Sequence, residues 1–82
     1  MVSETLSVFP NPNTGVLNIA LPASISQNST LEIYDAIGKL VVKHTLTNEL
    51  NSVNISDLTN GIYLFKILNN NNSVKIGKLV KQ

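Results

Sequence analysis

The chain has no cysteine, no tryptophan and no arginine; all six of its basic residues are lysine. Without cysteine there is no disulfide, no thiolate metal site and no cysteine nucleophile. Without arginine there is no planar guanidinium to grip a phosphate or carboxylate at two points. Charge is scarce as well, at 13% of residues with a net of +1, against roughly 25% charged in ordinary soluble domains. Such a chain has no field to draw it to nucleic acid or to an acidic membrane. No apolar run exceeds a few residues, so nothing is long enough to span a bilayer as a helix. The opening, Met1-Val2-Ser3-Glu4-Thr5, lacks a basic stretch followed by an apolar run and is not a secretory signal peptide. Its polar character reads instead as the start of a module cut from a longer chain, with residues 1–5 a linker or appended segment and 6–82 the domain.

What is present favours one small β-domain. Leu, Ile, Val and Phe supply 29 of the 82 residues, enough to fold, although a domain of this size buries only about 60–65% of its unfolded surface. Val, Ile and Thr are abundant, and β-branched side chains favour strands. Seven strands are expected, over residues 6–9, 16–21, 31–35, 39–46, 52–55, 62–68 and 73–80, each bounded by turn residues. Pro10-Asn11-Pro12 forms a stiff turn because two ring-locked residues remove two backbone donors. Gly15 then offers a position free to take a positive φ. Ala36-Ile37-Gly38 is expected as a three-residue hairpin turn with Gly38 left-handed. Leu40, Val41 and Val42 are all apolar, which points to a bulge in the fourth strand. The sixth strand is apolar on both faces except at Lys66 and is expected as a central strand covered on both sides. Period-2 alternation assigns Leu17, Ile19, Ile33, Val53, Ile55, Tyr63, Phe65 and Ile67 to the core, and Phe9 is counted with them. Seven strands with a turn about every ten residues indicate an all-β, antiparallel, immunoglobulin-like sandwich. Leu58-Thr59-Asn60-Gly61-Ile62-Tyr63 resembles a tyrosine corner, with Gly61 expected left-handed and the Tyr63 hydroxyl bonding back to upstream backbone.

Few residues suggest chemistry. His44 is the one histidine, but it lies on an expected strand with neither a nucleophile motif nor a nearby acid, so it reads as an exposed strand residue. Asn11, Asn13 and Gly15 loosely resemble the start of a calcium loop but lack its carboxylates, so a turn is the better reading. Asn28, Asn54 and Asn71 open glycosylation sequons that so Asn-rich a chain produces by chance. Tyr34 and Tyr63 could form a stacking platform, but Tyr63 reads as core. No catalytic residue, metal site or cofactor is expected. Lys75, Lys78 and Lys81, half of all the lysines, fall in the last eight residues. On a strand, 75 and 81 share a face and 78 takes the other. They serve either to blunt an edge strand against aggregation or to form a recognition tail.

Four ordered blocks carry a resemblance: Val8-Phe9-Pro10-Asn11-Pro12 with Gly15, Leu17 and Ile19; Leu31, Ile33-Tyr34-Asp35 and Gly38-Lys39; Val53, Ile55, Leu58 and Gly61-Ile62-Tyr63-Leu64; and Lys78-Leu79-Val80-Lys81. Together they resemble the type A C-terminal sorting domain of the type IX (Por) secretion system of Bacteroidota. Phe9 stands where that family commonly has Tyr, and Gln82 extends one residue past its usual basic finish. The resemblance implies a non-catalytic address tag with a cargo protein fused N-terminally. It implies export through the periplasm and outer membrane to the cell surface or medium. It also implies the type IX translocon and its shuttle proteins as partners, and a sortase-like cysteine protease that removes the tag. Translocon recognition is then expected on Lys75, Lys78, Leu79, Val80 and Lys81, with Pro10, Asn11, Pro12, Gly15, Gly38, Gly61 and Tyr63 shaping turns. The alternative is an immunoglobulin-like adhesive or carbohydrate-binding accessory module of a secreted enzyme.

Overall fold

The computed structural model describes residues 6–82. The segment 1–5, read above as a linker or appended residues, lies outside the described residues. Seven strands form in chain order: β1 (Ser7–Phe9), β2 (Val16–Ala20), β3 (Ser29–Tyr34), β4 (Leu40–Leu46), β5 (Leu50–Asn54), β6 (Gly61–Asn69) and β7 (Asn72–Lys81). A single 3-10 turn, Ala23–Ile25, follows Pro22. The strands make two antiparallel sheets, β1-β2-β5 and β4-β3-β6-β7, the immunoglobulin-like sandwich that the turn spacing implies.

Alternation builds the core. Leu17 and Ile19 of β2 and Val53 of β5 face Leu31 and Ile33 of β3 and Tyr63, Phe65 and Ile67 of β6, all buried. Every residue assigned to the core from alternation is there except Phe9, which is 43% exposed; its neighbour Val8 packs on the core instead. A three-residue strand presents one side chain inward, and the register, Val8 opposite Ile19, selects Val8. Leu46 and Leu79 complete the core.

Strand limits follow pairing partners more than side-chain type. β3 begins at Ser29, two residues before the expected start, because Ser29 pairs with both Leu46 and Asn69. β5 spans Leu50–Asn54, not 52–55, because Leu50 reaches Ala20. The expected bulge in β4 is present: Ile33 pairs with Val42 and Tyr34 with Leu40, leaving Val41 as the extra residue. Gly38 has φ 87° and closes the turn, in which Asp35 Oδ1 accepts from the Ile37 and Lys39 amides. The β6–β7 hairpin turns through Asn70 and Asn71, φ 52° and 68°. Two left-handed residues suit the twist of a two-residue hairpin, and Asn tolerates that conformation better than most residues.

Three expectations need correction. Gly15 is not among the glycines with positive φ; what it supplies is a buried N–H, 2.7 Å from Asn13 Oδ1, and a carbonyl 2.7 Å from the Ile55 amide. Gly61 has the positive φ expected, a conformation that L side chains rarely adopt, but at 159° it lies at the extended edge of that region and not in the left-handed helical well. β6 is central, but only one of its faces is covered. Ile62 and Leu64, on the face away from the core, are 58% and 44% exposed, because among the described residues no third layer lies over the four-stranded sheet.

Candidate functional site: the C-terminal strand and its latch

β7 is an edge strand of the larger sheet. Its register with β6 sets Lys75, Gly77, Leu79 and Lys81 on the inward side, opposite Ile67, Phe65, Tyr63 and Gly61. Lys78 and Val80 fall on the other side, opposite Leu64 and Ile62. Lys75 and Lys81 therefore share a face and Lys78 takes the other, as the alternation requires. Their surroundings differ. Leu79 is fully buried and Lys81 is nearly so, its Nζ donating to the Gln82 backbone oxygen at 3.3 Å. Lys75 and Lys78 are exposed and Val80 is half-buried. The five residues expected to form one recognition element thus divide into two that anchor the strand and three that it presents. The apolar stem of a lysine lets a position with inward parity be buried despite its charge.

Inward of β7, Gly77 lies under the ring of Phe65. A Cβ built there would come within 2.6 Å of a ring carbon, so the aromatic ring occupies the space that a side chain would fill. Outward, Lys78 rims an open groove with Tyr34, Ile62, Leu64 and Lys66. Lys66 Nζ sits 5.6 Å from the Tyr34 ring centre, within cation–π range. The Tyr34 hydroxyl donates to Glu32 Oε1 at 2.6 Å. That bond to a carboxylate raises the Tyr34 pKa above its ordinary value, with desolvation and the Glu32 charge acting in the same direction.

The Pro-Asn-Pro-Asn turn holds the far edge of β7. Asn11 Nδ2 donates to the Lys78 carbonyl at 2.7 Å, and Asn11 Oδ1 accepts from the Val80 amide at 3.0 Å. The Asn13 amide donates to the Val80 carbonyl, and the Gln82 amide donates to the Asn13 carbonyl, both at 2.7 Å. This makes a one-residue parallel bridge between Asn13 and Lys81. The Asn13 side chain is fully buried; its Nδ2 donates to the Val16 and Pro10 carbonyls while its Oδ1 accepts from Gly15. The two asparagines are thus engaged in the turn and the latch, the turn reading preferred over a calcium loop. The sequence marked this segment as stiff but gave no sign of its partner, which lies 67 residues away.

The tyrosine corner is present. The Tyr63 hydroxyl donates to the Thr59 carbonyl at 2.6 Å, across the turn into β6. Because Tyr63 is buried there, it forms no platform with the half-buried Tyr34. His44 is exposed on β4, opposite Leu31.

Comparison with known proteins places this geometry. Residues 7–82 match the family described as the secretion system C-terminal sorting domain. A funoran endo-beta-hydrolase of Wenyingzhuangia aestuarii is 28% identical over 81 residues, which cover 98% of this chain but 11% of that relative. The chain therefore spans about a tenth of the length of the curated relative it matches, and the likeness does not extend to the rest of that enzyme. The small sandwich, the tyrosine corner and a family match running through the latched last strand agree: the chain belongs to the type IX C-terminal sorting domain family, non-catalytic signals that mark proteins for export across the outer membrane to the cell surface or medium.

Proposed function

We propose that residues 6–82 act as the sorting unit for a cargo protein fused N-terminally, and that the exposed side chains of the C-terminal strand are what the type IX translocon and its shuttle proteins recognise. A sortase-like cysteine protease then removes the unit. The observation that carries this reading is the division of labour along β7. Leu79 and Lys81 fix the strand in the sandwich, and so the Lys75 and Lys78 heads and the Val80 side chain stand at defined positions. Lysine heads on a fixed strand can meet acidic groups of a partner while their stems pack against apolar surface. The competing role for the lysines, protection of an edge from aggregation, makes the opposite prediction for export.

The test replaces Lys75 and Lys78 with Gln in a reporter fused ahead of residues 1–82, in a type IX-competent host. Reduced export with an unchanged melting temperature supports recognition by these lysines. Full export together with increased aggregation returns them to edge protection.

A further inference from the structure

We propose that the Asn11 side chain is a placeholder for a partner's backbone, and that the edge of β7 from Ile76 to Val80 pairs with an extended strand of the export machinery. The proposal rests on the sorting function above and adds the mode of contact. The register fixes which backbone groups point away from β6. The Lys78 carbonyl and the Val80 amide both meet Asn11, so residues of this parity face the open edge. The pairing runs without a shift from Lys78 opposite Leu64 to Ile76 opposite Lys66. The Ile76 amide and carbonyl therefore face outward too.

A carboxamide side chain carries the donor and acceptor of a peptide group. At 2.7 and 3.0 Å, Asn11 occupies two edge sites in the manner of a neighbouring strand. Asn11 is exposed and holds β7 through these two bonds alone, so an incoming backbone can replace it bond for bond. Asn13 is different. It is buried, tied by three side-chain bonds, and joined to the strand through its own backbone, so displacement stops there. The accessible tract runs from Ile76 to the Val80 amide, while the Val80 carbonyl stays with the Asn13 amide.

The side chains of that tract define the occupant. Ile76, Lys78 and Val80 lie in a row on the outer face, apolar–cationic–apolar, with Ile76 55% exposed. The matching strand alternates apolar, acidic, apolar, since opposite charges across a strand pair stabilise it and like charges oppose it. For the same reason a second copy of β7 is a poor occupant, because antiparallel pairing about Lys78 sets lysine against lysine.

Export of a reporter fused ahead of residues 1–82 tests this, with the unsubstituted fusion as the reference for the sorting function itself. Ile76→Pro removes one outward amide and none that β6 uses, whereas Ile76→Val keeps both the amide and the apolar side chain. Export is expected to fall about tenfold with Ile76→Pro and to stay near the reference with Ile76→Val, both variants folded by circular dichroism. Asn11→Ala is expected to speed hydrogen exchange at the Val80 amide without lowering export. Full export by a folded Ile76→Pro fusion overturns the edge contact while leaving the sorting function intact. If Ile76→Pro does not fold, Asn11→Ala decides: lost export from a folded variant overturns the placeholder role, and retained export with faster Val80 exchange upholds it. Self-association of the chain that is abolished by Ile76→Pro assigns the edge to a second copy and overturns the partner named here. Failure of the reference fusion to be exported counts against the sorting function, not against this contact alone.

Discussion

At the scale of single residues, the sandwich depends on a few polar groups whose partners are far apart in sequence. Asn13 is the clearest. It is fully buried, and among the described residues no buried side-chain nitrogen or oxygen lacks a partner. Asn13→Ala would leave the Gly15 amide and two carbonyls short of partners, and a cost of about 2–3 kcal/mol is expected by urea denaturation. Tyr63→Phe removes the hydroxyl's bonds to the Thr59 carbonyl and the Thr59 side chain and should cost about 1 kcal/mol, with the strand order unchanged. Tyr34 gives a pH signature. Its folded pKa is raised by its bond to Glu32, so this contribution to stability is complete below the unfolded value, about 10, and is lost as pH rises through the folded one. Glu32→Gln should bring the Tyr34 phenolate titration, followed by absorbance, back toward its ordinary range. A titration that does not move would show that the Glu32 bond is not the cause. Tyr63 could be read in the sequence because a corner has a local signature. Asn13 could not, because burial of an asparagine by a distant strand leaves no trace in spacing.

At the scale of elements, alternation specified most of what folding required. In β2, β5 and β6 the inward set followed directly from period 2, since a one-residue slip would put every core side chain into water. The bulge in β4 was legible from three consecutive apolar residues that no regular strand can place on one face. The outer face of β6 was misread because an apolar residue signals burial only if something lies above it, and the number of layers is not written in one strand. Gly77 shows a different limit. A glycine inside a strand ordinarily weakens it, but here its missing side chain is the seat of the Phe65 ring. Gly77→Ala sets a methyl at 2.6 Å from that ring, which is itself buried in the core. Overpacking of this kind costs about 1–3 kcal/mol. A melting temperature equal to that of the parent chain would show that the ring has room to shift.

At the scale of the whole molecule, β7 is an integral part of the fold and not a strand appended to it. A truncation that removes Leu79–Gln82 cannot separate export from folding, because this strand has many contacts to break. Leu79 is in the core, Lys81 is buried, and the latch closes on Lys78, Val80 and Gln82. Losing Leu79 alone should cost about 2–5 kcal/mol, a large share of the roughly 4–12 kcal/mol expected for a domain of this length. The truncated chain is therefore expected to be largely unfolded by circular dichroism. Recognition has to be tested by substitutions that keep the strand, such as those at Lys75, Lys78 and Ile76.

The central claim is that this domain suffices to direct export. The most direct test fuses a folded periplasmic reporter, with its own signal peptide, ahead of residues 1–82 in a type IX-competent host, and measures the reporter outside the cell. The account predicts surface-bound or released reporter in that host and periplasmic reporter when the translocon is disabled. Reporter that stays in the periplasm of the competent strain, with the domain folded and intact, would contradict it.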